Sequence, residues 1–143
     1  MTKDRTGSRT KARKRAIEVL YEADLRQTPI NEQLQERLKH SAHESALPAY
    51  SVQIIEGVSQ NLERINELIE TYSKGWPLHR MPAVDRAIMR LGVWEVLFND
   101  DVPDAVAVNE AVEISKELST EESPGFINGL LGKFIELKPT LLA

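Results

Sequence analysis

Apolar residues recur at every third or fourth position along most of this chain, which is the spacing of one face of an α-helix. Six such stretches are separated by residues that cannot continue a helix, among them Pro29, Pro48, Pro77 and Pro103. No segment alternates apolar and polar positions with an enrichment in β-branched residues, so we predict no β-strand. Short connections between amphipathic helices are typical of an all-α bundle, which is the predicted fold class.

The first three predicted helices differ in length and polarity. The first has its apolar face at Ala16, Ile17, Leu20, Tyr21 and Leu25. The second is short and polar, with Leu34 and Leu38. The third is long, with apolar residues at Ile54, Ile55, Val58, Leu62, Ile65, Ile69 and Tyr72. We expect these faces to point into the core.

The last three predicted helices are more apolar. The fourth has its apolar face at Val84, Ala87, Ile88, Leu91, Trp94 and Phe98. The fifth has Val108, Ala111, Val112 and Leu118. The sixth has Phe126, Ile127, Leu130, Leu131, Phe134 and Ile135. These faces complete the predicted core.

The starts of two helices can be predicted from single residues. Pro82 is expected at the first helical position of the fourth helix, and Asp85 in its exposed first turn, where a carboxylate interacts favourably with the helix dipole. Ser123 is expected to cap the sixth helix. Further along that helix, Gly129 and Gly132 lie three residues apart, and small residues at this spacing are expected to let a neighbouring helix pack closely.

Length and composition describe one ordinary globular domain. The chain has 143 residues, of which 41% are hydrophobic and 28% are charged. It contains no cysteine, which excludes disulfides and thiolate zinc sites and fits a reducing compartment. No apolar run approaches the ~20 residues of a membrane span. We therefore expect a cytoplasmic protein without a membrane partner.

The first fifteen residues form a strongly basic segment in an otherwise acidic chain. Seven of them are basic and one is acidic, which gives a charge of +6. The remaining residues hold 11 basic and 21 acidic side chains, a charge of −10. This asymmetry indicates a polyanionic partner, most commonly nucleic acid. The alternatives are a solubilising tail or a helix on an anionic membrane, although no Trp, Phe or Leu interleaves the charges before Leu20.

A helix would align the basic residues in pairs. If residues 9–15 extend the first helix, Arg9 lies one turn from Arg13, and Lys11 lies one turn from Arg15. Guanidinium groups suit phosphate because they donate hydrogen bonds in a planar fork. We predict a flexible basic arm over residues 1–10 and a single all-α domain over residues 11–140.

Two aromatic residues are candidates for stacking on bases. Tyr21 lies two turns beyond Lys14. Phe126 lies near the start of the sixth helix, where free backbone N–H groups also favour phosphate. For both residues the alternative is core packing, since aromatic side chains dominate core burial.

The sequence offers little for catalysis or for a metal. His40 and His43 are three residues apart on the second helix and lack a third ligand, so we interpret them as part of a solvated face. No serine stands in a Gly-x-Ser-x-Gly elbow. We expect a non-enzymatic protein with no cofactor and no metal.

Four stretches of the chain resemble the NusB family of bacterial transcription antitermination factors. Residues 12–21 read Ala-Arg-Lys-Arg-Ala-Ile-Glu-Val-Leu-Tyr, and residues 84–91 read Val-Asp-Arg-Ala-Ile-Met-Arg-Leu. Residues 101–112 contain Val-Asn-Glu-Ala-Val, and residues 122–131 contain Phe-Ile-Asn-Gly-Leu-Leu. The last two blocks, in this order, make the resemblance specific. It covers nearly the whole chain, and residues 28–50 match least well.

The resemblance implies an all-α fold of two three-helix bundles. It implies binding to single-stranded boxA RNA of ribosomal RNA leaders, together with the ribosomal protein NusE. It also implies delivery of both to the elongating RNA polymerase with other Nus factors. Free members of the family differ in oligomeric state, so a homodimer of the free protein is left open.

Carried over by position, the resemblance places RNA contacts in three parts of the chain. The implied contacts are Arg9, Lys11, Arg13, Tyr21, Asp85, Glu122 and Phe126, with Lys14 and Arg15 as additional cations. Because carboxylates repel phosphate, Asp85 and Glu122 are expected to accept hydrogen bonds from base amino groups. Gly125 stands where some relatives carry a lysine, which puts one RNA contact in doubt.

Two other classes of function compete with this interpretation. Some ribosomal RNA cytosine methyltransferases carry a NusB-like N-terminal domain, but they need a fused Rossmann-like domain with a methyl-donor site. The 143 residues contain no glycine-rich strand–helix unit of that kind. A helical protein–protein module without RNA would not explain the charge of +6. We therefore expect an RNA-binding adaptor.

Overall fold

The computed structural model describes residues 2–40 and 46–142, with side chains from Gly7 onward. Over these ranges the chain forms α-helices, one short 3-10 helix and no strand, which confirms the all-α fold class. The α-helices are α1 (Thr2–Arg26), α2 (Ile30–His40), α3 (Ala49–Gln60), α4 (Leu62–Tyr72), α5 (Ala83–Phe98), α6 (Asp104–Leu118) and α7 (Ser123–Leu141), and the 3-10 helix is Leu78–Arg80.

The chain divides into two compact units between Gln60 and Asn61. In the first unit each of the helices α1, α2 and α3 packs against the other two. Leu20, Leu34 and Ile54, one from each helix, are buried. Burial of apolar surface at about 25 cal/mol per Å² is the main favourable contribution to packing of this kind.

Polar contacts as well as apolar ones join the helices of the first unit. The hydroxyl of Ser51 donates a 2.6 Å hydrogen bond to the carbonyl of Ala12, which ties α3 to α1. Arg37 on α2 pairs with Glu18 and Glu22 on α1. The buried hydrogen bond of Ser51 fixes the axial position of α3 relative to α1. The partly exposed ion pairs contribute little to stability.

The basic N-terminal segment is helical. Residues 9–15 extend the first helix, which is the condition under which Arg9 lies one turn from Arg13, and α1 begins at Thr2. The boundary placed after residue 10 therefore falls inside a continuous helix, and the backbone of residues 2–10 does not form a separate arm. Burial of Ala12 and Arg13 explains this continuity, because extending an anchored helix costs far less than nucleating a new one. That residues 11–140 act as one domain stays a prediction.

Helix α5 is the centre of the second unit. It packs against α4, α6 and α7, and between Ala87 and Leu97 every side chain except that of Arg90 is buried. A helix that is buried on nearly all sides is typical of such a central position. Gly92 permits the close approach of α7, since a Cβ atom at that position would lie 2.7 Å from Cδ1 of Leu131.

The close packing expected at Gly129 and Gly132 is wrong. Both glycines are exposed, and a Cβ atom at either one would meet no atom within 4 Å. The spacing of small residues marks one face of α7 without indicating whether a neighbour covers that face.

The long third helix of the prediction is two helices. They are separated at Asn61, whose backbone angles are φ −113° and ψ 14°, in the sparsely populated bridge region. Asparagine favours such local departures because its side chain competes with the helical backbone for hydrogen bonds. The break coincides with the division between the two units, so the second unit has four α-helices instead of three.

The predicted starts of two helices are each displaced by one residue. Pro82 lies at the cap position before α5, with ψ 144°, and is not the first helical residue. Ser123 is the first residue of α7, and Glu122 occupies the cap position. The Ser123 hydroxyl bonds to Asp85 instead of capping its own helix, as described below.

Several residues predicted to lie in the core are at the surface. Tyr21, Leu25, Leu38, Phe98 and Leu118 are all exposed. Four of them lie in the last turn of their helices, where periodicity alone cannot show that the neighbouring helix has ended. The remaining one, Tyr21, is flanked on its own turn by Glu18 and Glu22, which indicate a surface position.

Candidate nucleic-acid interface

One face of α1 carries a cluster of three accessible basic residues. Lys11 is exposed, and Lys14 and Arg15 are half-buried. These three side chains line a groove of about 450 Å³, whose remaining lining residues are Ser8, Glu18, Ala46 and Pro48. The groove thus combines three cations with one carboxylate and an apolar wall, and it suits an anionic chain.

Arg9 and Arg13 point to a different place, the ring of Tyr50 on α3. The Arg9 guanidinium carbon lies 3.9 Å from the ring centroid, and that of Arg13 lies 5.6 Å away. Cations held over an aromatic face are attracted by the ring quadrupole. The two arginines therefore pack α1 against α3.

Burial of Arg13 corrects its predicted role as a phosphate contact. Its side chain is only 2% exposed, so it cannot present its guanidinium to a phosphate at the surface. The sequence contained a signal for this outcome. Arg13 precedes Ala16 and Leu20 by three and seven residues, which places it on the apolar face of the same helix.

Tyr21 lies two turns along α1 from Lys14 and is 38% exposed. Lys14, Glu18 and Tyr21 follow each other at four- and three-residue spacing, so they share one face of the helix. The ring is accessible to a base, and the basic groove begins on the same face.

Asp85 lies in the first turn of α5, but it is fully buried. The expectation of an exposed first turn is therefore wrong. Its Oδ2 accepts a 2.7 Å hydrogen bond from the hydroxyl of Ser123, and its Oδ1 accepts one from Ser119. Thr120 Oγ1 lies 3.0 Å from Ser123 Oγ. Because Ser123 gives its only proton to Asp85, Thr120 is the donor in that contact.

This network, which we call the Asp85 cluster, consists of Asp85, Ser119, Thr120 and Ser123. It ties the turn between α6 and α7 to the start of α5. A buried carboxylate costs free energy unless hydrogen bonds satisfy it, and the two serine hydroxyls meet that requirement. The side chain of Asp85 therefore organises the turn, and because it is fully buried, it is not accessible to an RNA base.

Glu122 and Phe126 lie on the turn that the Asp85 cluster holds. Glu122 is exposed at the cap position of α7. Phe126 is half-buried, and its ring stands edge-to-face against Trp76, with centroids 4.5 Å apart. Trp76 was not among the predicted site residues. Its position between Gly75 and Pro77, outside any apolar helical face, was the available signal.

The predicted RNA contacts are divided between the two units. Lys11, Lys14, Arg15 and Tyr21 come together on α1 in the first unit. Asp85, Glu122 and Phe126 come together in the second, where Asp85 supports the other two from below the surface.

The described residues contain no arrangement typical of a metal site. His40 Nε2 lies 2.9 Å from Glu36 Oε1 on the same helix, and His43 lies outside the described residues. No three His, Cys, Asp or Glu side chains within residues 7–40 and 46–142 are arranged to hold an ion. No helix in this part of the chain is both long and apolar enough to cross a membrane.

Two solved structures have the same fold. NusB of T. maritima, 32% identical, superposes with a TM-score of 0.78 over 90% of each chain. A crystal structure of antitermination factors NusB and NusE in complex with double-stranded RNA contains a chain that is 26% identical. It superposes with a TM-score of 0.76 over 90% of this chain and 96% of that one.

Sequence comparison gives the same family. The transcription antitermination protein NusB of Beutenbergia cavernae is 54% identical over 142 residues, covering 94% of this chain and 93% of its own. The protein of the same name from Leifsonia xyli subsp. xyli is 54% identical over 135 residues, covering 92% and 94%. A sequence model of the NusB family matches residues 10–136. The chain therefore belongs to the NusB family of transcription antitermination proteins and is not an enzyme.

Proposed function

We propose that this protein binds single-stranded boxA-type RNA of ribosomal RNA leaders together with NusE. In this proposal it delivers both to the elongating RNA polymerase, in the cytoplasm and with other Nus factors. The observation that carries the proposal is the basic face of α1, where Lys11, Lys14 and Arg15 line one groove in a chain of net charge −4. The solved complex of NusB, NusE and double-stranded RNA supports RNA and NusE as the partners.

In the first unit the cations of the groove contact phosphates. Each phosphate that a cation neutralises releases counterions, which favours binding and makes it dependent on salt. Such contacts position the RNA without selecting its sequence. Tyr21, on the same face of α1, is proposed to stack on an unpaired base.

In the second unit the turn between α6 and α7 contacts bases. Glu122 is exposed and can accept hydrogen bonds from base amino groups, which is the proposed source of selectivity. Phe126 stacks on a second base. Asp85 acts indirectly, because it holds the turn that carries both residues.

The test is a titration of fluorescently labelled RNA, followed by anisotropy at several salt concentrations, with and without NusE. The RNAs are a single-stranded boxA-type oligonucleotide, a scrambled sequence and the boxA-type oligonucleotide in a duplex. We expect the first to bind most tightly. Equal affinity for all three would contradict selective recognition of single-stranded boxA RNA.

A charge-matched pair of variants assigns the binding to α1. Alanine at Lys11, Lys14 and Arg15 should reduce the slope of log K against log salt by about 2, at about 0.7 for each lost contact. Alanine at Arg26, Lys39 and Lys116, which are all exposed and lie outside the groove, removes the same charge and should change the slope little. Equal changes in both variants would contradict the groove as the binding site.

A further inference from the structure

The segment of residues 73–82, which connects α4 to α5, carries the aromatic partner of Phe126. Trp76 and Phe126 have ring centroids 4.5 Å apart and ring planes inclined at 77°. Both side chains are half-buried, so the pair lies at the surface of the second unit. An edge-on contact covers at most one ring face, which leaves another face for a third aromatic group.

Hydrogen bonds fix the backbone on both sides of Trp76. The hydroxyl of Ser73 donates to the carbonyl of Trp76 at 2.6 Å. Glu70 Oε2 accepts the backbone N–H of Leu78 at 3.1 Å. Gly75 has φ +84°, a backbone conformation that residues with side chains rarely adopt. The backbone conformation of the turn before Trp76 is therefore determined by these local hydrogen bonds and by Gly75.

The segment is also fastened to α5. The Arg86 guanidinium donates to the carbonyl of Met81 at 2.6 Å and to that of Leu78 at 3.2 Å. These hydrogen bonds fix the backbone of the segment and therefore the position from which the half-buried side chain of Trp76 extends. Trp76 can act as a fixed support for the side chain that it contacts.

The surroundings of Phe126 on α7 are open. Gly125 precedes it and Gly129 follows one turn later, and both are exposed. A Cβ atom at either glycine would meet nothing within 4 Å. No side chain at these two positions obstructs the approach of a planar group to the Phe126 ring.

We infer that Trp76 is a positioning residue for RNA binding, which holds the ring of Phe126 in the orientation that stacks on an unpaired base. This inference rests on the proposed function. A half-exposed phenylalanine without a support must lose rotamer freedom when a base binds. A ring that is already fixed by Trp76 avoids that entropic cost, so the pair binds the base more tightly.

The test is a double-mutant cycle on the affinity for single-stranded boxA-type RNA. Trp76→Ala should weaken binding by about three- to tenfold, because an edge-to-face contact is lost. Trp76→Phe retains an aromatic edge and should restore most of the affinity. In the Phe126→Ala background, Trp76→Ala should have no further effect, because the ring that it positions is gone.

A control variant and a fluorescence measurement separate a positioning role of Trp76 from a role in folding. Tyr72→Ala removes a different edge-to-face contact of this unit, to Phe134, and should lower the melting temperature without changing RNA affinity. The Trp94→Phe background removes the other, buried tryptophan, so that fluorescence reports on Trp76 alone. Bound RNA should then change the Trp76 emission, and the change should disappear with Phe126→Ala.

The outcomes distinguish a failure of the inference about Trp76 from a failure of the proposed RNA-binding function. If Phe126→Ala weakens binding and Trp76→Ala does not, the inference is overturned and the proposed function stands. Independent, multiplying effects of the two substitutions would also overturn it, because Trp76 would then contact RNA by itself. If Phe126→Ala leaves the affinity unchanged, the stacking role of Phe126 and the inference fail together.

Discussion

Asp85 accepts a 2.7 Å hydrogen bond from the hydroxyl of Ser123, which lies 38 residues later in the chain. The bond is buried and joins the first turn of α5 to the first turn of α7. Ser119 occupies the second carboxylate oxygen. One carboxylate thereby fixes the connection that presents Glu122 to solvent.

Substitution of Asp85 should destabilise the fold. Hydrogen bonds to a charged group contribute about 1.5–3 kcal/mol each, and removing a buried partner leaves its donor unsatisfied. Asp85→Ala should lower the free energy of unfolding by roughly 3 kcal/mol. Asp85→Asn keeps one acceptor and should cost about 1–2 kcal/mol. Denaturant midpoints measure both.

Asp104→Asn is the matched control for a generic effect of the helix dipole. Asp104 also lies in the first turn of its helix, but it is half-buried and pairs with Lys138 at 2.9 Å. Its neutralisation should cost less than about 1 kcal/mol. If both Asp→Asn variants lose the same stability, the Asp85 cluster contributes nothing beyond the dipole.

The sequence could predict the position of Asp85 in its helix but not its burial. A carboxylate in a first turn is favourable whether or not it is exposed. Burial depends on Ser119 and Ser123, whose pairing with Asp85 spans 34 and 38 residues. No local pattern contains that information. For the same reason the sequence could not predict the contact of Trp76 with Phe126, which lies 50 residues further along the chain.

Arg13 and Lys11 should behave in opposite ways, although they lie two residues apart. Arg13→Ala removes a buried side chain from beside Tyr50 and should cost about 2 kcal/mol of stability. Lys11→Ala should leave stability nearly unchanged and reduce the salt slope of RNA binding by about 0.7. Thermal unfolding and salt titrations of both variants provide the comparison. If Arg13→Ala reduces the salt slope of RNA binding and leaves the melting temperature unchanged, Arg13 contacts RNA and does not stabilise the fold.

Glycines on α5 and α7 should respond oppositely to alanine. At Gly92 the added methyl group overlaps Leu131, and overpacking costs about 1–3 kcal/mol. The higher helix propensity of alanine offsets about 1 kcal/mol of this, so a net loss is expected. At Gly132 nothing opposes the gain in propensity, and Gly132→Ala should stabilise by about 0.5–1 kcal/mol. Urea unfolding of both variants tests the pair, and stabilisation at Gly92 would show that Leu131 moves aside freely.

Periodicity predicted most of the helices because each one buries an apolar stripe. The all-α class followed from it. It failed where an apolar residue lies at the surface, as at Leu25, which is 58% exposed. It also failed at Asn61, since one residue in a bridge conformation breaks a helix without interrupting its apolar pattern. Of the candidate site, the basic face of α1 could be predicted. The place of Arg13 on the apolar face of α1 indicated its burial, whereas its contact with Tyr50 depended on packing against α3.

Phe126 and Phe134 form a matched pair on α7, since each makes one edge-to-face contact in the second unit. Phe134 is fully buried, and Phe134→Ala should cost about 3–5 kcal/mol of stability. Phe126 is half-buried, so Phe126→Ala should cost only about 1–2 kcal/mol, from lost burial and the lost contact with Trp76.

RNA affinity should show the reverse order for these two phenylalanines. Loss of a base-stacking ring costs about 1–3 kcal/mol, so Phe126→Ala should bind single-stranded RNA roughly 5- to 150-fold more weakly. Phe134→Ala, measured at a temperature where it is folded, should bind with nearly wild-type affinity. Denaturant midpoints and RNA dissociation constants for both variants decide the question. If Phe126→Ala loses as much stability as Phe134→Ala and keeps its RNA affinity, the ring belongs to the core, and Tyr21 is left as the aromatic contact.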